Sequence, residues 1–253
     1  MSDGGAVPEA PVLDVRGLGR RFGGLQALAD VSFTVPRGRT LGIIGPNGAG
    51  KTTVFNLISG FLHPNEGRIL FQGKDISRMA PHHNARLGIG RTFQIVKPLP
   101  SLTVQQNVML GAFMHTGKMG QAEHESAKIL DFLQMSHLSK FLASGLPLAA
   151  LKRLEIARAL ATKPKLILLD EVVSGLTTSE ALALADLVKR LPEWGVSVVG
   201  GVEHVMQVVM KIADRVIVLD YGAKIAEGTP AEVVKMPAVI EAYLGPKYKE
   251  LTQ

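Results

Sequence analysis

The amino-acid sequence predicts an α/β protein in which a parallel sheet carries helices on both faces. Apolar stretches of strand length alternate with stretches of helical periodicity along most of the chain. Two short apolar runs, residues 41–45 and 166–169, predict buried strands. The first of them leads into a glycine-rich turn, which is followed by helical spacing over residues 52–60.

The remaining elements follow from their local patterns. Residues 12–40 alternate between apolar and polar positions and predict a small β-rich segment, and residues 68–75 predict a hairpin. Helical spacing over residues 104–142 indicates a helical subdomain. The other predicted helices are residues 151–161, 179–191 and 231–244, and the other predicted strands are residues 196–202, 216–219 and 223–226.

Composition limits the possible classes of protein. The chain has 253 residues, of which 46% are apolar and 20% are charged, as in a globular protein with a sizeable core. The lack of cysteine excludes disulfides, thiolate metal sites and a cysteine nucleophile, and it fits a reducing cytosol. No apolar run reaches the roughly 18 residues that span a bilayer. We therefore expect a chain that is soluble on its own and reaches any membrane through a partner.

Charge favours anionic partners. The formal net charge is +6, and the isoelectric point is near 9.6. The lysines and arginines are scattered and form none of the runs seen in nucleic-acid-binding arms. The charge pattern therefore predicts a solvated basic surface with one phosphate site, and no nucleic-acid partner.

The glycine-rich turn carries the strongest motif of the chain. Residues 45–53 read GPNGAGKTT and match the phosphate-binding pattern G-x-x-x-x-G-K-[ST] in full. Its glycines allow positive φ and a close approach of the backbone to phosphates. Lys51 supplies charge for the β- and γ-phosphates, and the Thr52 hydroxyl is a Mg²⁺ ligand. A chance match is the alternative, but the strand before the loop and the helix after it are the context that the motif requires. The predicted nucleotide-binding residues of the loop are Gly45, Asn47, Gly48, Ala49, Gly50, Lys51, Thr52 and Thr53.

Two acids follow the second buried strand. Asp170 is suited to hold Mg²⁺ through water, and Glu171 to orient or deprotonate the attacking water. An acid at a strand end is otherwise a turn residue, but here the pair shares a chain with a phosphate loop. Gln94 and His204 are further polar residues near predicted elements, and either is open to interpretation as an ordinary surface or core residue.

The order of these motifs resembles that of ABC-transporter nucleotide-binding subunits over nearly the whole chain. The matching positions are the phosphate loop at 45–53, the Q-loop at Gln94, the signature region at 146–150, Walker B at 166–170, the catalytic Glu171, the D-loop at 174–177 and the H-loop at His204. The resemblance implies catalytic roles for Lys51, Gln94, Glu171 and His204, and Mg²⁺ coordination by Thr52, Gln94 and Asp170. Phe22 matches the aromatic residue that stacks on adenine in that family.

Within the family, the chain looks most like the ATPases of branched-chain, or hydrophobic, amino-acid importers. The stretches that carry this likeness include RRFGGLQAL, RTFQIVKPLPSLTVQQNV, KRLEIARALATKPKLILLDE, ADRVIVLDYGAKIAEGTPAEVV and PAVIEAYLG. Lipopolysaccharide exporters share much of the first part but differ in the C-terminal segment. Importers of urea and short amides remain an alternative.

The resemblance also implies an architecture. It is a P-loop NTPase core of the RecA-like type with an antiparallel β subdomain and an inserted helical subdomain. We expect a flexible tail over residues 1–11 and one ATPase domain over 12–253. That domain divides into the β subdomain and first part of the core at 12–94, the helical subdomain at 95–150, and the rest of the core with a C-terminal helix at 151–253.

The resemblance further implies ATP and Mg²⁺ as cofactors and a head-to-tail dimer, in which each ATP lies between one subunit's phosphate loop and the other's signature. The implied partners are membrane permeases, a second ABC ATPase and, indirectly, a periplasmic or extracellular binding protein. The implied location is peripheral, on the cytoplasmic face of the inner membrane. Two alternatives are a soluble ABC ATPase of translation or DNA repair, and a regulatory module that holds ATP without turnover. The single ATPase unit disfavours the first, and the intact catalytic residues disfavour the second.

The sequence departs from the family pattern at the signature, where LSGGQ is replaced by Leu146, Pro147, Leu148, Ala149 and Ala150. Pro147 has neither a hydroxyl nor an N–H for a γ-phosphate, although it fits the first position of a helix. Ala149 places a methyl where the family has glycine. We therefore expect a heterodimer, in which the chain's own phosphate site meets a partner's intact signature. Smaller departures are Val172-Val173 after Walker B, Thr177 in place of the D-loop acid, and Gly200-Gly201 within a strand, where a bulge is one way to absorb an extra residue.

Overall fold

A computed structural model describes the fold of residues 10–93, 98–201 and 206–244. The strands are β1 (Leu13–Phe22), β2 (Leu25–Val35), β3 (Thr40–Ile44), β4 (Glu66–Phe71), β5 (Lys74–Asp75), β6 (Ile89–Arg91), β7 (Leu166–Asp170), β8 (Ser197–Gly201), β9 (Arg215–Asp220) and β10 (Ala223–Gly228). The helices are α1 (Lys51–Ser59), α2 (Pro81–Leu87), α3 (Val104–Ala112), α4 (Met119–Phe132), α5 (Leu148–Ala161), α6 (Thr178–Lys189), α7 (Met206–Ile212), α8 (Pro230–Val233) and α9 (Pro237–Leu244).

A six-stranded sheet forms the centre of the fold, in the order β10-β9-β3-β8-β7-β6. All neighbouring strands in it are parallel except the antiparallel pair β9 and β10. A separate antiparallel sheet has the order β2-β1-β4-β5. The predicted α/β fold class, with its small antiparallel β subdomain, is confirmed.

Apolar side chains of the central strands pack on both faces of the sheet. In β7, Leu166 and Leu168 pack with α1 and the antiparallel sheet. Ile167 and Leu169, which alternate with them, pack with α5, α6 and α7 on the opposite face. Successive strand residues point to opposite faces, so a strand covered on both sides must be apolar at every position.

The helical subdomain consists of α3 and α4, which lie beside α5. Thr103 and Gln106 form a capping box that begins α3. A Cβ at Gly111 of α3 would lie 2.7 Å from the Ala161 Cβ, so the glycine permits close approach of α3 to α5. The expected boundary at residue 150 falls within α5, and this helix therefore joins the helical subdomain to the second part of the core.

Several predicted elements are corrected by the structure. The helical stretch expected over residues 231–244 is two helices, because Pro237 begins α9 after α8 has ended. The bulge considered at Gly200 and Gly201 is absent from β8, which pairs in continuous register with β3 and β7. Helix α2 and strand β6 were not predicted. No helix in the described part of the chain is long and apolar enough to span a bilayer.

Candidate active site

The carboxyl ends of three adjacent strands bring the predicted site residues together. Strand β3 leads into the phosphate loop, and β7 ends at Asp170, with β8 lying between them. Gly201, at the end of β8, stands opposite Ile43 in one pairing and opposite Asp170 in the other. The loop and the acids therefore share one edge of the sheet, where parallel α/β proteins bind their ligands.

Two of the loop glycines are required because the neighbouring backbone leaves no room for a Cβ. Gly45, Gly48 and Gly50 have φ of 154°, 79° and 101°. A Cβ at Gly45 would lie 2.1 Å from the Leu219 carbonyl oxygen, and one at Gly50 would lie 2.8 Å from the Ala27 carbonyl oxygen. Among the described residues, nothing lies within 4 Å of a Cβ built at Gly48, so the loop is open on this side.

The turn between β9 and β10 forms hydrogen bonds with both the phosphate loop and β2. The Gly222 N–H donates to the Ala49 carbonyl at 3.2 Å, and the Gly222 carbonyl accepts from the Ala29 N–H at 2.8 Å. Tyr221 and Gly222 have φ of 43° and 81°, which gives a two-residue turn of type I′ geometry. The loop is thus held between the central sheet and β2.

The first turn of α1 is arranged to receive an anion. Lys51 is buried, and its Nζ donates to the carbonyl oxygens of Gly45 at 2.7 Å and Pro46 at 2.8 Å, inside the loop. No side chain caps the helix at Gly50, and its first turn contains no acid. The helix N-terminus therefore keeps its partial positive charge for a ligand. The Thr52 side chain is exposed beside it.

A cavity of about 420 Å³ adjoins this helix end. Phe22 lies at its rim with 42% of its surface exposed, and the Arg20 guanidinium is 4.8 Å from its ring centroid. Tyr221, which was not predicted as a site residue, is 90% exposed on the same rim. The cavity is lined by Phe22, Leu25, Gln26, Ala27, Gly48, Gly50, Lys51, Thr52, Thr53 and Tyr221.

The acid pair sits at the end of β7 in contrasting environments. Asp170 is buried, and its Oδ2 lies 3.1 Å from Nη2 of Arg91, a residue that sequence reasoning missed. Glu171 is half-buried with φ of 48°, a conformation uncommon for a residue other than glycine. Its N–H donates to the Gly201 carbonyl at 3.1 Å, and its carbonyl accepts from the Lys152 Nζ at 3.4 Å. The chain therefore turns sharply after Asp170 and is held on both sides of the turn.

The region of the degenerate signature forms the start of α5. Pro147 is the N-cap, with φ −69° and ψ 161°, and not the first helical residue as expected. Its carbonyl accepts from the Leu151 N–H at 3.0 Å, so the ring fits a position that donates no helical hydrogen bond. Leu146 and Ala150 are buried, Ala149 is half-buried, and Pro147 and Leu148 are exposed.

Thr177, the residue in place of the D-loop acid, has a local structural role. It is the N-cap of α6 and forms a capping box with Glu180. The Thr177 N–H donates to Glu180 Oε2 at 2.9 Å, and the Glu180 N–H donates to Thr177 Oγ1 at 3.4 Å. A threonine is therefore sufficient to begin this helix.

Comparison with known proteins identifies the family. The sequence profile of the ABC transporter family matches residues 28–174. The chain belongs to the ABC transporter family. A second profile, that of the branched-chain amino acid ATP-binding cassette transporter, matches residues 223–245. The chain is accordingly a nucleotide-binding ATPase subunit, as predicted.

Two curated ABC proteins illustrate the similarity over the full chain. The probable branched-chain amino acid transport ATP-binding protein LivG of Archaeoglobus fulgidus is 37% identical, with 95% of this chain and 98% of that protein covered. The high-affinity branched-chain amino acid transport ATP-binding protein BraF of Pseudomonas aeruginosa is also 37% identical, over 93% of this chain and 98% of that protein.

Solved ABC cassettes share the fold. A nucleotide-free ATP-binding cassette from an ABC transporter aligns with a TM-score of 0.84 at 34% identity, covering 93% of this chain and all of that one. An ABC cassette in its ADP conformation aligns with the same TM-score and identity.

Two predicted residues of the ABC motifs, Gln94 and His204, lie outside the described residues. The oxygen donors that are described, the Thr52 hydroxyl and the Asp170 carboxylate, suit a hard cation such as Mg²⁺. Within the described ranges there is no group of three or more His, Cys, Asp or Glu side chains that could hold a metal.

Proposed function

We propose that the chain energises an ABC importer of branched-chain or similar hydrophobic amino acids. The observation that carries this proposal is the match of residues 223–245 to the branched-chain cassette profile, of which residues 223–244 contain β10, α8 and α9. The full-length likeness to LivG and BraF supports it. Import of urea or short amides remains the alternative.

The site supports a specific division of roles. Lys51 binds the β- and γ-phosphates, Thr52 and Asp170 hold Mg²⁺, and Glu171 orients the attacking water. Phe22 stacks on adenine at the rim of the cavity. When bound, Mg²⁺ neutralises charge on the phosphates. Catalysis by these residues is positioning and electrostatic stabilisation.

Transport in proteoliposomes tests the substrate. We expect the complex reconstituted with its permeases to take up labelled leucine when ATP is enclosed on the ATPase side. Lys51→Ala, which removes the phosphate-binding charge, provides the inactive control. ATP-dependent uptake of urea without uptake of leucine would favour the alternative importer, and failure to co-purify any permease would favour a soluble ATPase.

A groove between the core and the helical subdomain supports docking of a permease, which would hold the chain peripherally at the cytoplasmic face of the inner membrane. The groove has a volume of about 470 Å³ and includes the exposed side chains of Phe61, Phe93 and Leu110. Phe93 directly precedes Gln94 of the Q-loop. Leu110→Glu should therefore abolish co-purification with the permease and leave ATP binding intact. Retained co-purification would place the contact elsewhere.

Symmetry favours a heterodimer. In a homodimer of this chain, both ATP sites would face the degenerate signature. In a heterodimer, Lys51 and Glu171 of this chain would meet the partner's intact signature, and only the partner's nucleotide would face Pro147 and Ala149. Loss of one hydrogen-bond donor to the charge that develops in the transition state slows a reaction by about 10²–10³-fold.

Two single lysine variants in one reconstituted complex test this asymmetry. Lys51→Ala in this chain should stop transport, and the equivalent change in the partner ATPase should be milder. Equal losses from the two variants, or full cooperative ATPase activity of this chain as a purified homodimer, would contradict the heterodimer.

A further inference from the structure

A buried arginine lies between the phosphate-loop helix and the Walker B aspartate. The side chain of Arg91, at the end of β6, is 9% exposed, and that of Asp170 is 6% exposed. Arg91 Nη2 lies 3.1 Å from Asp170 Oδ2. Arg91 Nη1 donates to Asn56 Oδ1 at 2.8 Å and to Ser59 Oγ at 2.7 Å, and both acceptors belong to α1.

The shape of an arginine side chain suits this arrangement. The planar guanidinium presents its donors in a fixed fork, so one nitrogen can bind the carboxylate while the other binds α1. A lysine is a point charge on a flexible stem and would hold one side at the expense of the other. Burial lowers the pKa of Arg91 from its ordinary value, and the adjacent Asp170 carboxylate opposes that shift. The Asp170 carboxylate therefore offsets part of the cost of burying the Arg91 guanidinium.

The backbone of Asp170 is anchored independently of Arg91. Its N–H donates to Thr92 Oγ1 at 3.3 Å, and the Thr92 N–H donates to the Leu168 carbonyl at 2.9 Å. Arg91 therefore adds the placement of the side-chain carboxylate, and it does so relative to α1, whose first residues are Lys51 and Thr52.

Arg91 also lines the groove between the core and the helical subdomain. The Phe61 and Phe93 ring centroids are 5.5 Å and 5.2 Å from Arg91 Cζ. The two rings meet edge to face, with centroids 5.8 Å apart, and both line the groove. One side chain thus contacts the Walker B carboxylate, Phe93 directly before the Q-loop, and Phe61 after α1.

We propose that Arg91 is a positioning residue that holds the Asp170 carboxylate in register with α1 for Mg²⁺-dependent ATP binding. The inference rests on the proposed role of Asp170 on the Mg²⁺ side of the site. Arg91 itself touches neither the nucleotide nor the metal in this proposal. It fixes the distance between the helix that carries Thr52 and the carboxylate, so that both oxygen donors are in place when Mg·ATP arrives.

Binding of a fluorescent ATP analogue to the full-length chain, titrated with Mg²⁺ and repeated in EDTA, tests the proposal. Changing a residue that orients a metal ligand typically weakens metal binding by about 10–100-fold. We expect Arg91→Met to raise, by that factor, the Mg²⁺ concentration at which the enhancement of nucleotide binding is half-maximal. Nucleotide affinity in EDTA should be unchanged. Arg91→Lys and Asn56→Ala should each give a smaller shift in the same direction.

An exposed ion pair of the same type gives the matched control. Arg39 Nη1 lies 3.2 Å from Asp214 Oδ1, with side chains 63% and 39% exposed. Arg39→Met should leave the Mg²⁺ dependence at the wild-type value. A merely structural role of Arg91 would lower the melting temperature without moving the Mg²⁺ dependence of the folded fraction, and this result would overturn the proposal.

The Asp170→Asn variant distinguishes the positioning role of Arg91 from the proposed role of Asp170 on the Mg²⁺ side of the site. If Asp170→Asn shifts the Mg²⁺ dependence and folded Arg91→Met does not, the role of Arg91 is refuted and that of Asp170 stands. If Asp170→Asn causes no shift, both are refuted. If Arg91→Met does not fold, Arg91→Lys and Asn56→Ala decide the outcome, and wild-type Mg²⁺ dependence in both would refute the proposal.

Discussion

Substitution of Gly201 by alanine should overpack the core beneath the active site and destabilise the fold. Gly201 ends β8 and stands opposite Asp170. A Cβ there would lie 2.9 Å from Cε2 and 3.1 Å from Cζ of Phe55, a fully buried ring on α1. The preceding Gly200 is also buried in β8, but a Cβ there would meet only the Ile212 Cδ1, at 3.8 Å.

These distances set opposite expectations for the two glycines. The methyl of Gly201→Ala must displace a ring that is enclosed on all sides, and such overpacking typically destabilises by about 1–3 kcal/mol. Gly200→Ala meets ordinary van der Waals contact and reduces the entropy of the unfolded chain, which stabilises by up to about 1 kcal/mol. Neither glycine has positive φ, so backbone strain does not enter the comparison.

Urea unfolding followed by circular dichroism measures both variants. Gly201→Ala should lower the free energy of unfolding, and Gly200→Ala should not. Phe55→Leu should relieve the clash, so that the double variant is more stable than the sum of the single changes by about 0.5–3 kcal/mol. Equal effects at the two glycines, or additive effects of Phe55→Leu and Gly201→Ala, would refute the reasoning.

Two further predictions concern the nucleotide cavity and the groove. Phe22→Ala should weaken ATP affinity by roughly 1–2 kcal/mol, the scale of a base–aromatic stack, and Phe22→Tyr should be nearly neutral, as measured by ATP titration; equal affinities of the alanine variant and wild type would make Phe22 a packing residue. Burial raises the pKa of Glu155, whose Oε1 accepts from the Phe93 N–H at 2.7 Å and whose Oε2 is buried without a hydrogen-bond partner among the described residues. The ionised form of Glu155 is therefore disfavoured in the folded state. The contribution of Glu155 to the free energy of unfolding falls as pH rises from the ordinary glutamate pKa through the raised pKa. Glu155→Gln should gain stability relative to wild type as the pH rises above the ordinary glutamate pKa, and a melting-temperature difference that does not change with rising pH would contradict this prediction.

Much of the fold could be predicted because local pattern and tertiary environment agree. The apolar runs at β3 and β7 are long enough to mark strands covered on both faces, and the glycine-rich turn requires a strand before it and a helix after it. The predicted loop residues and Asp170 consequently lie at one edge of the sheet. That proximity follows from the parallel order of β3, β8 and β7.

The missed features depend on contacts that are distant in sequence. Strand β6 has only three residues and is defined by its pairing with β7. Arg91 belongs to no motif, and its partners are 32, 35 and 79 residues away along the chain. Tyr221 occupies a type I′ turn position at which Asn, Asp or Gly is favoured, so its place at the cavity rim carries no sequence signal.

Turnover by a Glu171→Gln variant tests the central claim, that this chain's own acid pair drives ATP hydrolysis. The substitution keeps the shape of the side chain and removes the carboxylate that would orient or deprotonate water. In the assembled transporter, ATP binding should be retained and phosphate release should fall by about 10²-fold or more. Phosphate release at the wild-type rate from a correctly assembled Glu171→Gln complex would contradict the account.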